Sequence, residues 1–275
     1  MLFVIINMVI IMKKGFLKRI LLYILSIIFL FGAAYSLSYF IIYQQDEKEI
    51  EKELEKIQNL TEIIEEDEPK QEHSNNQPTN NINNNEKLIN VNINELKTIN
   101  RDVKGWIIVN GTNINYPFVQ TNNNDYYLTH SFDKSPNKMG WVFLDYRNKL
   151  NGNDKNLILY AHNSKTGKMF GSLPKILTNG WLNNSKNHII KTSINNQNSL
   201  WQVFSIYHII KTDDYIKTSF YSPQEFNSFI NMIKNRSIHN FNVNLDENDT
   251  ILTLSTCYIN NNERLVLHAK LIKSN

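Results

Sequence analysis

Residues Ile20 to Ile42 form an unbroken run without one charged side chain, built mostly of Leu, Ile, Phe and Tyr. In a bilayer a lone segment must satisfy its own backbone polar groups, so a run of this kind has one structural solution, an α-helix. At about 1.5 Å per residue it reaches roughly 35 Å, enough to cross a hydrocarbon core of about 30 Å. Lys13, Lys14, Lys18 and Arg19 precede it, whereas Asp46, Glu47, Glu49, Glu51, Glu53 and Glu55 follow. Basic flanks stay inside. This predicts a single-pass cell-membrane protein with residues 1–15 cytoplasmic, a signal-anchor helix over 16–43 and the remainder extracellular. A cleaved signal peptide is the alternative. It fits less well, because the run exceeds the usual apolar core of about 7–15 residues and lacks a clear small-x-small exit. Met1 to Met12 are almost wholly apolar and too few to span. A translation start at Met12 would give a basic opening, Met-Lys-Lys-Gly-Phe-Leu-Lys-Arg, directly before the apolar run.

Beyond the run, residues 44–85 read as a stalk and tether. Over Asp46–Glu66 the apolar residues Ile50, Leu54, Ile57, Leu60, Ile63 and Ile64 recur at helical spacing among charges. A solvated stalk helix is the simpler reading; a pairing helix that dimerises is the other. Asp67–Asn85 turns to Asn, Gln, Pro and Glu. Such a stretch buries too little apolar surface to offset its ordering entropy, and so predicts a flexible tether. Residues 86–275 are ample for one core. A short helix is expected over Asn92–Asn100, then eight β-type segments: 106–109, 113–120, 140–146, 156–162, 188–194, 200–210, 250–257 and 264–272. Asn110-Gly111 and Asn195-Asn196 suit turns. Two helical inserts are expected, Lys168–Leu177 and Pro223–Lys234, the second with Phe226, Phe229, Ile230 and Ile233 on one face and Ser222 as its N-cap. The pattern is mainly β, a closed barrel or a sandwich.

Cys257 is the only cysteine, at the end of Thr253-Leu254-Ser255-Thr256-Cys257. Extracellular domains use cysteines in disulfide pairs, so an unpaired one outside the cell is a reactive thiol unless it is buried packing. A thiol attacks as its thiolate and needs a nearby cation or a base. His162 ends the run Asn156-Leu157-Ile158-Leu159-Tyr160-Ala161-His162, which places an imidazole at a strand end over a loop. Arg264 opens the last strand-like run across a short polar turn from the cysteine. These three make a plausible nucleophile, acid/base and charge stabiliser. Arg264 in a surface ion pair with Glu263 is the plainer alternative, and His130 is a second candidate partner for the thiol. His268 reads as structural, His188 and His208 as strand residues, His73 and His239 as tether and loop. No metal or cofactor is implied, because the chain has no Cys-x-x-Cys, His-Glu-x-x-His or EF-hand spacing and no P-loop. The formal net charge is only +3 with scattered lysines, which argues against nucleic acid.

With these motifs in hand, the chain resembles the sortases, class B most of all. The resemblance rests on Thr-Leu-Ser-Thr-Cys at 253–257, Arg264 in the next strand, Tyr-Ala-His-Asn at 160–163 and Lys-Met-Phe-Gly-Ser-Leu at 168–173, and extends over roughly 92–272. It implies a mainly β fold: a closed eight-stranded sortase-type barrel with N-terminal helices and a helix-bearing insert between strands 6 and 7 (Lys211–Asp249). It implies a Gram-positive cell surface, a thioacyl enzyme and transpeptidation. The partners would be surface-protein sorting signals, Asn-Pro-x-Thr-like or Leu-Pro-x-Thr-Gly-like, and an amine of a peptidoglycan peptide or a pilin. By position Cys257 would be the nucleophile, His162 the acid/base and Arg264 the oxyanion and backbone holder, with Ser255, Thr256, Tyr215 and Ile216 binding substrate. One departure is Tyr258, where several class B members carry an acidic residue; the Tyr258–Glu263 loop is also short and Asn-rich. A cysteine hydrolase with water as acceptor would use the same residues, and a non-catalytic surface-binding module would bury Cys257.

Overall fold

The computed structural model describes residues 2–66, 86–195, 197–257 and 262–275, with the backbone alone for residues 2–15 and Cys257. The tether expected over Asp67–Asn85 with its His73, the second half of the Asn195-Asn196 turn, and Tyr258 with most of its loop lie outside the described residues. The chain divides into two compact units at Glu49/Ile50.

Helix α1 (Leu2–Leu60) runs through the predicted apolar segment without a break. In the first unit its side chains from Ile20 to Ile42 carry no charge, are mostly apolar and are exposed on every side, and the helix is long and apolar enough to cross a membrane. A helix apolar all round needs lipid or protein on every face.

In the second unit the last turns of α1 depart from the solvated stalk expected there. Ile50 and Ile57 are fully buried in the main core and Leu54 packs against it. The helix also stops at Leu60, short of Glu66. Ile63–Glu66 instead forms β1, antiparallel to β2 (Leu88–Val91) with Ile63 opposite Val91. The spacing of the stripe marked a helix; that the surface it covers belongs to the same chain was not visible in it. Next comes α2 (Ile93–Ile99), capped by the Asn92 side chain, which accepts from the Asn94 amide.

The barrel follows: β3 (Val103–Val109), β4 (Asn115–Val119), β5 (Phe143–Leu144), β6 (Asn156–Tyr160), β7 (Ile189–Ile194), β8 (Gln197–Ile210), β9 (Ile251–Cys257) and β10 (Glu263–Ser274). They close in the order β10-β8-β7-β3-β4-β5-β6-β9, antiparallel except for β4–β5 and β6–β9. This is the closed eight-stranded, mainly β fold expected from sequence. The Asn110-Gly111 turn forms as predicted, with Gly111 at φ +73° and the Thr112 amide bonded back to Val109. The insert expected to be helical over 168–177 is different. It is a 3-10 turn at Leu173–Leu177 followed by the short α3 (Asn179–Leu182), and Met169, at φ +52°, bridges to Asn163.

Two apolar layers sandwich the β8–β10–β9 wall. Along β10, Leu265, Leu267 and Ala269 point into the barrel while Val266 packs outside. The outer layer is the insert between β8 and β9, the sixth and seventh barrel strands. Its α4 (Pro223–Asn235) is one residue longer than predicted and lays Phe226, Phe229, Ile230 and Ile233 against Phe204 and Tyr207 of β8. Both faces of β6 are buried from Asn156 to Leu159, in keeping with its apolar run, whereas β9 alternates Leu252 and Leu254 on the barrel side with Thr253 and Ser255 on the other.

A buried polar chain fastens this insert to the barrel, and its proton positions follow from chemistry. Asn156 donates through Nδ2 to the Lys217 carbonyl, so its Oδ1 accepts from the Thr253 hydroxyl at 2.7 Å. Thr253 Oγ1, having given its proton, accepts from His268 Nδ1 at 2.9 Å. His268 Nε2 is then the bare nitrogen and accepts from the Tyr207 hydroxyl, also at 2.9 Å. The imidazole is fully buried and neutral; burial, then the Arg236 charge, lowers its pKa from 6.5 to about 3. His268 is structural, as the sequence indicated.

Two outcomes follow. Ile57→Ala should lower unfolding stability by about 2–5 kcal/mol in a denaturant titration, whereas a residue on a solvated stalk would change it by under about 0.5 kcal/mol. A histidine whose folded pKa lies below its unfolded value contributes stability that is present above pH 6.5 and lost as the pH falls. Between pH 7 and 5 this group should account for a loss on the order of 2 kcal/mol. That part of the acid slope should be missing in His268→Gln when denaturant midpoints at the two pH values are compared.

Candidate active site

The parallel register of β6 on β9 sets the geometry. Asn156 lies opposite Ile251, and the pairing continues residue by residue to Tyr160 opposite Ser255. One rung further the Thr256 hydroxyl donates to the Ala161 carbonyl at 2.7 Å, so the two chains stay level beyond the last paired residue of β6. The next residues are His162 and Cys257. On the other side of β9, the antiparallel register places Arg264 of β10 directly opposite Cys257. Strands so paired lie about 4.8 Å apart, so three residues, the outermost 102 positions apart in sequence, come to three adjacent strand ends, His162 just past the end of β6.

His162 is held from two directions. Its Nε2 lies 2.7 Å from the Leu128 carbonyl. A carbonyl only accepts, so Nε2 carries the proton of the neutral ring and Nδ1 is the nitrogen left for proton exchange. On the main chain, the His162 carbonyl accepts from the Phe170 amide at 3.0 Å. The loop between closes tightly because residue 171 is glycine: a Cβ there would sit 2.1 Å from the Ser164 carbonyl oxygen.

Arg264 is half-buried on the same face of β10 as Val266, the outer face, and its Nη1 donates to the Glu263 carbonyl at 3.0 Å. The bond goes to the backbone of Glu263 and not to its carboxylate. The guanidinium charge is felt at Tyr215, although burial dominates there and raises the phenol pKa. Tyr215 comes from the insert and meets Ser255, hydroxyl to hydroxyl, at 2.9 Å. Both are buried, whereas the neighbouring Ile216 is partly exposed. Thr256 is buried with its hydroxyl engaged by Ala161. Of the four residues expected at the substrate groove, Ile216 presents the most surface.

Two further residues, Asp145 and Arg147, fix the insert here and escaped the sequence reading. Asp145, fully buried, receives the Arg147 guanidinium through both oxygens and the Tyr160 hydroxyl at 2.9 Å. Burial opposes its ionisation, but the Arg147 bonds and then Tyr160 outweigh it and hold its pKa below the usual carboxylate range. Arg147 also donates to the Ile216 carbonyl at 2.8 Å, tying the insert to the end of β5. His130 stacks on Tyr126, ring centres 4.0 Å apart, with Nδ1 2.8 Å from the Tyr126 carbonyl. His188 is buried with Nε2 3.0 Å from the Leu182 carbonyl. Among the described residues no group of three or more His, Cys, Asp or Glu side chains could hold a metal ion.

Comparison with known proteins bears on this arrangement. The family model for the sortase domain matches residues 107–272. Sortase B of Staphylococcus aureus is 36% identical over 181 residues, 65% of this chain and 73% of that protein. Among solved structures, sortase B of Clostridium perfringens superposes with a TM-score of 0.61 at 34% identity, covering 65% of this chain and 98% of that one. A Staphylococcus aureus sortase B–substrate complex gives 0.61 at 36% identity, with 65% and 83% covered.

The Thr256–Ala161 bond is open to test. Thr256→Val leaves a buried carbonyl unpaired and should cost about 1–3 kcal/mol in a denaturant titration, while Thr256→Ser, which keeps the hydroxyl, should recover most of it.

Proposed function

This chain belongs to the sortase family and is a cysteine transpeptidase of class B type, and from that premise we propose that it cleaves surface proteins at a C-terminal sorting motif after threonine and transfers the acyl group to an amine of the cell wall or a pilin. The observation that supports this most is the register described above, in which positions 162, 257 and 264 end on neighbouring strands.

The chemistry runs as follows. Cys257 gives its thiol proton to Nδ1 of His162, and the sulfur attacks the threonine carbonyl carbon of the motif. The Arg264 guanidinium donates to the developing oxyanion; a fixed cation in a partly desolvated site acts where the charge forms and needs little reorganisation. The tetrahedral species collapses by breaking the carbon–nitrogen bond, and the departing amine takes the proton from His162. The acyl group is now a thioester, which an amine can displace without further energy input. The incoming amine attacks, His162 accepts its proton, and the proton returns to the departing sulfur. Ser255, Thr256, Tyr215 and Ile216 lie where the insert meets β9. We assign Ile216 to the groove wall and the other three to holding that wall in place.

The apolar part of α1 would anchor the enzyme, with residues 1–15 in the cytoplasm and the barrel outside, since its basic flank precedes the segment and its acidic flank follows. The sorting motif belongs to the Asn-Pro-x-Thr or Leu-Pro-x-Thr-Gly type.

Cys257→Ala should abolish cleavage of such peptides. Arg264→Lys should reduce kcat/KM by about 10²-fold or more, because a lysine ammonium cannot reproduce the planar fork of donors. A ligated product that appears only when an amine is added, measured by mass spectrometry, is the expected outcome. Equal amounts of hydrolysed product with and without amine would favour a hydrolase, and near-normal rates in Arg264→Lys would remove the role given to that residue.

A further inference from the structure

Glu53 contradicts the pattern of its own helix. It sits within the stripe formed by Ile50, Leu54 and Ile57, on the face that packs into the core. A carboxylate there is costly unless its oxygens are hydrogen-bonded. They are: one accepts from the Phe132 amide at 3.3 Å and the other from the Asp133 amide. Glu51, on the exposed side of the same turn, pairs with Lys168 at 2.7 Å.

Each contact leads to His162. The segment gripped by Glu53 is continuous with the 3-10 turn Tyr126–Leu128, whose last carbonyl receives the His162 ring. Nearly every link between is bonded. The Phe132 carbonyl and the Tyr127 hydroxyl both accept from Asn100 Nδ2, the Ser131 amide reaches the Ser135 carbonyl, and the Asn137 amide reaches Thr129. Lys168, gripped by Glu51, adjoins the Asn163–Met169 bridge and the Phe170 amide that holds the His162 carbonyl. One helix turn therefore touches both loops that orient the imidazole, one through its ring and one through its main chain.

We infer that Glu53 and Glu51 are positioning residues for His162, and that the end of α1 completes the active site by clamping these two loops. The inference rests on the acid/base role proposed above for His162. The groups facing Glu53 are Ser131 and Asp133 from the loop, with Lys56 of its own helix facing Asp133. Burial first, then the Asp133 charge, raises the Glu53 pKa to about 7. The Phe132 and Asp133 amide bonds act in the opposite sense and favour the ionised carboxylate, so the grip on the loop is strongest when Glu53 is charged, while burial makes that charged form costly.

The test uses the full chain in detergent micelles, with a panel of Asn-Pro-x-Thr and Leu-Pro-x-Thr-Gly peptides and triglycine as the amine. A second readout, independent of turnover, is the ¹⁵N spectrum of histidine-labelled protein, which reports the tautomer of His162. Glu53→Ala should lower kcat by about 10–100-fold at nearly constant KM, the scale expected for a misplaced catalytic group, and should replace the single Nε2–H tautomer by a mixture. Glu53→Gln, which keeps one acceptor oxygen, should fall between Glu53→Ala and the parent. Glu51→Ala should cost about 2–5-fold, as an exposed pair contributes less. Glu55→Ala, on the solvent side of the same helix, should change nothing. The inference is overturned if Glu53→Ala folds and keeps both the parent kcat and the parent tautomer. If that variant does not fold, parent-like values in Glu53→Gln and Glu51→Ala overturn it equally. Full turnover in His162→Asn would instead remove the acid/base role, leaving the tautomer readout to judge the clamp by itself.

Discussion

The parallel pairing of β6 with β9 is the constraint on which the site depends. Most neighbours in this barrel are antiparallel; these two strands are ninety residues apart in sequence, run the same way and end together. Had they been antiparallel, the end of β6 that carries His162 would lie at the far end of β9 from Cys257. Parallel pairing requires a long connection, and the chain between Tyr160 and Ile251 supplies it with two further strands and the insert. The connection that permits the pairing also brings Tyr215 and Ile216 to the same strand ends.

Covering both faces of these strands keeps the register fixed. A strand slipped by one residue exchanges its two faces, which is costly where each face is filled. Along β9, Leu252 and Leu254 fill the barrel while Ile251 packs under α4. Thr253 and Ser255 face the insert with hydroxyls that have specific partners, His268 with Asn156 and Tyr215. A slip would bury these hydroxyls among aliphatic groups. The polar chain from Lys217 to Tyr207 thus specifies register on the outer face as the leucines do on the inner one.

Much of this was readable from the residues. The apolar run, the eight strands and the helix over 223–234 rest on periodicity and length, and the strand end at Cys257 follows from where an apolar run stops; the strand expected to reach His162 stops at Tyr160, two residues before it. The misreadings have separate causes. Residues 46–66 show helical spacing, but spacing says nothing of what the helix touches, and Ile50 and Ile57 found a partner in the barrel. Residues 168–177 carry enough apolar groups for a helix, yet Gly167, Gly171 and Pro174 favour turns, and the bridge from Asn163 to Met169 prevailed. The Leu128 carbonyl that orients His162 leaves no mark in the sequence, since any residue supplies one. Glu53 did leave a mark: a carboxylate at a core-facing position of a stripe predicts a buried acceptor with backbone donors waiting for it.

That mark bears on what the end of α1 does. A helix serving only as a spacer needs no buried charge, and Leu at 53 would complete its stripe and pack better. A carboxylate there sacrifices hydrophobic burial for two directed bonds to one loop. Natural sequences break their local rules mainly where a site needs it. The loop chosen is the one whose carbonyl fixes the proton on the His162 ring, so the departure from pattern occurs where holding a loop matters more than adding stability.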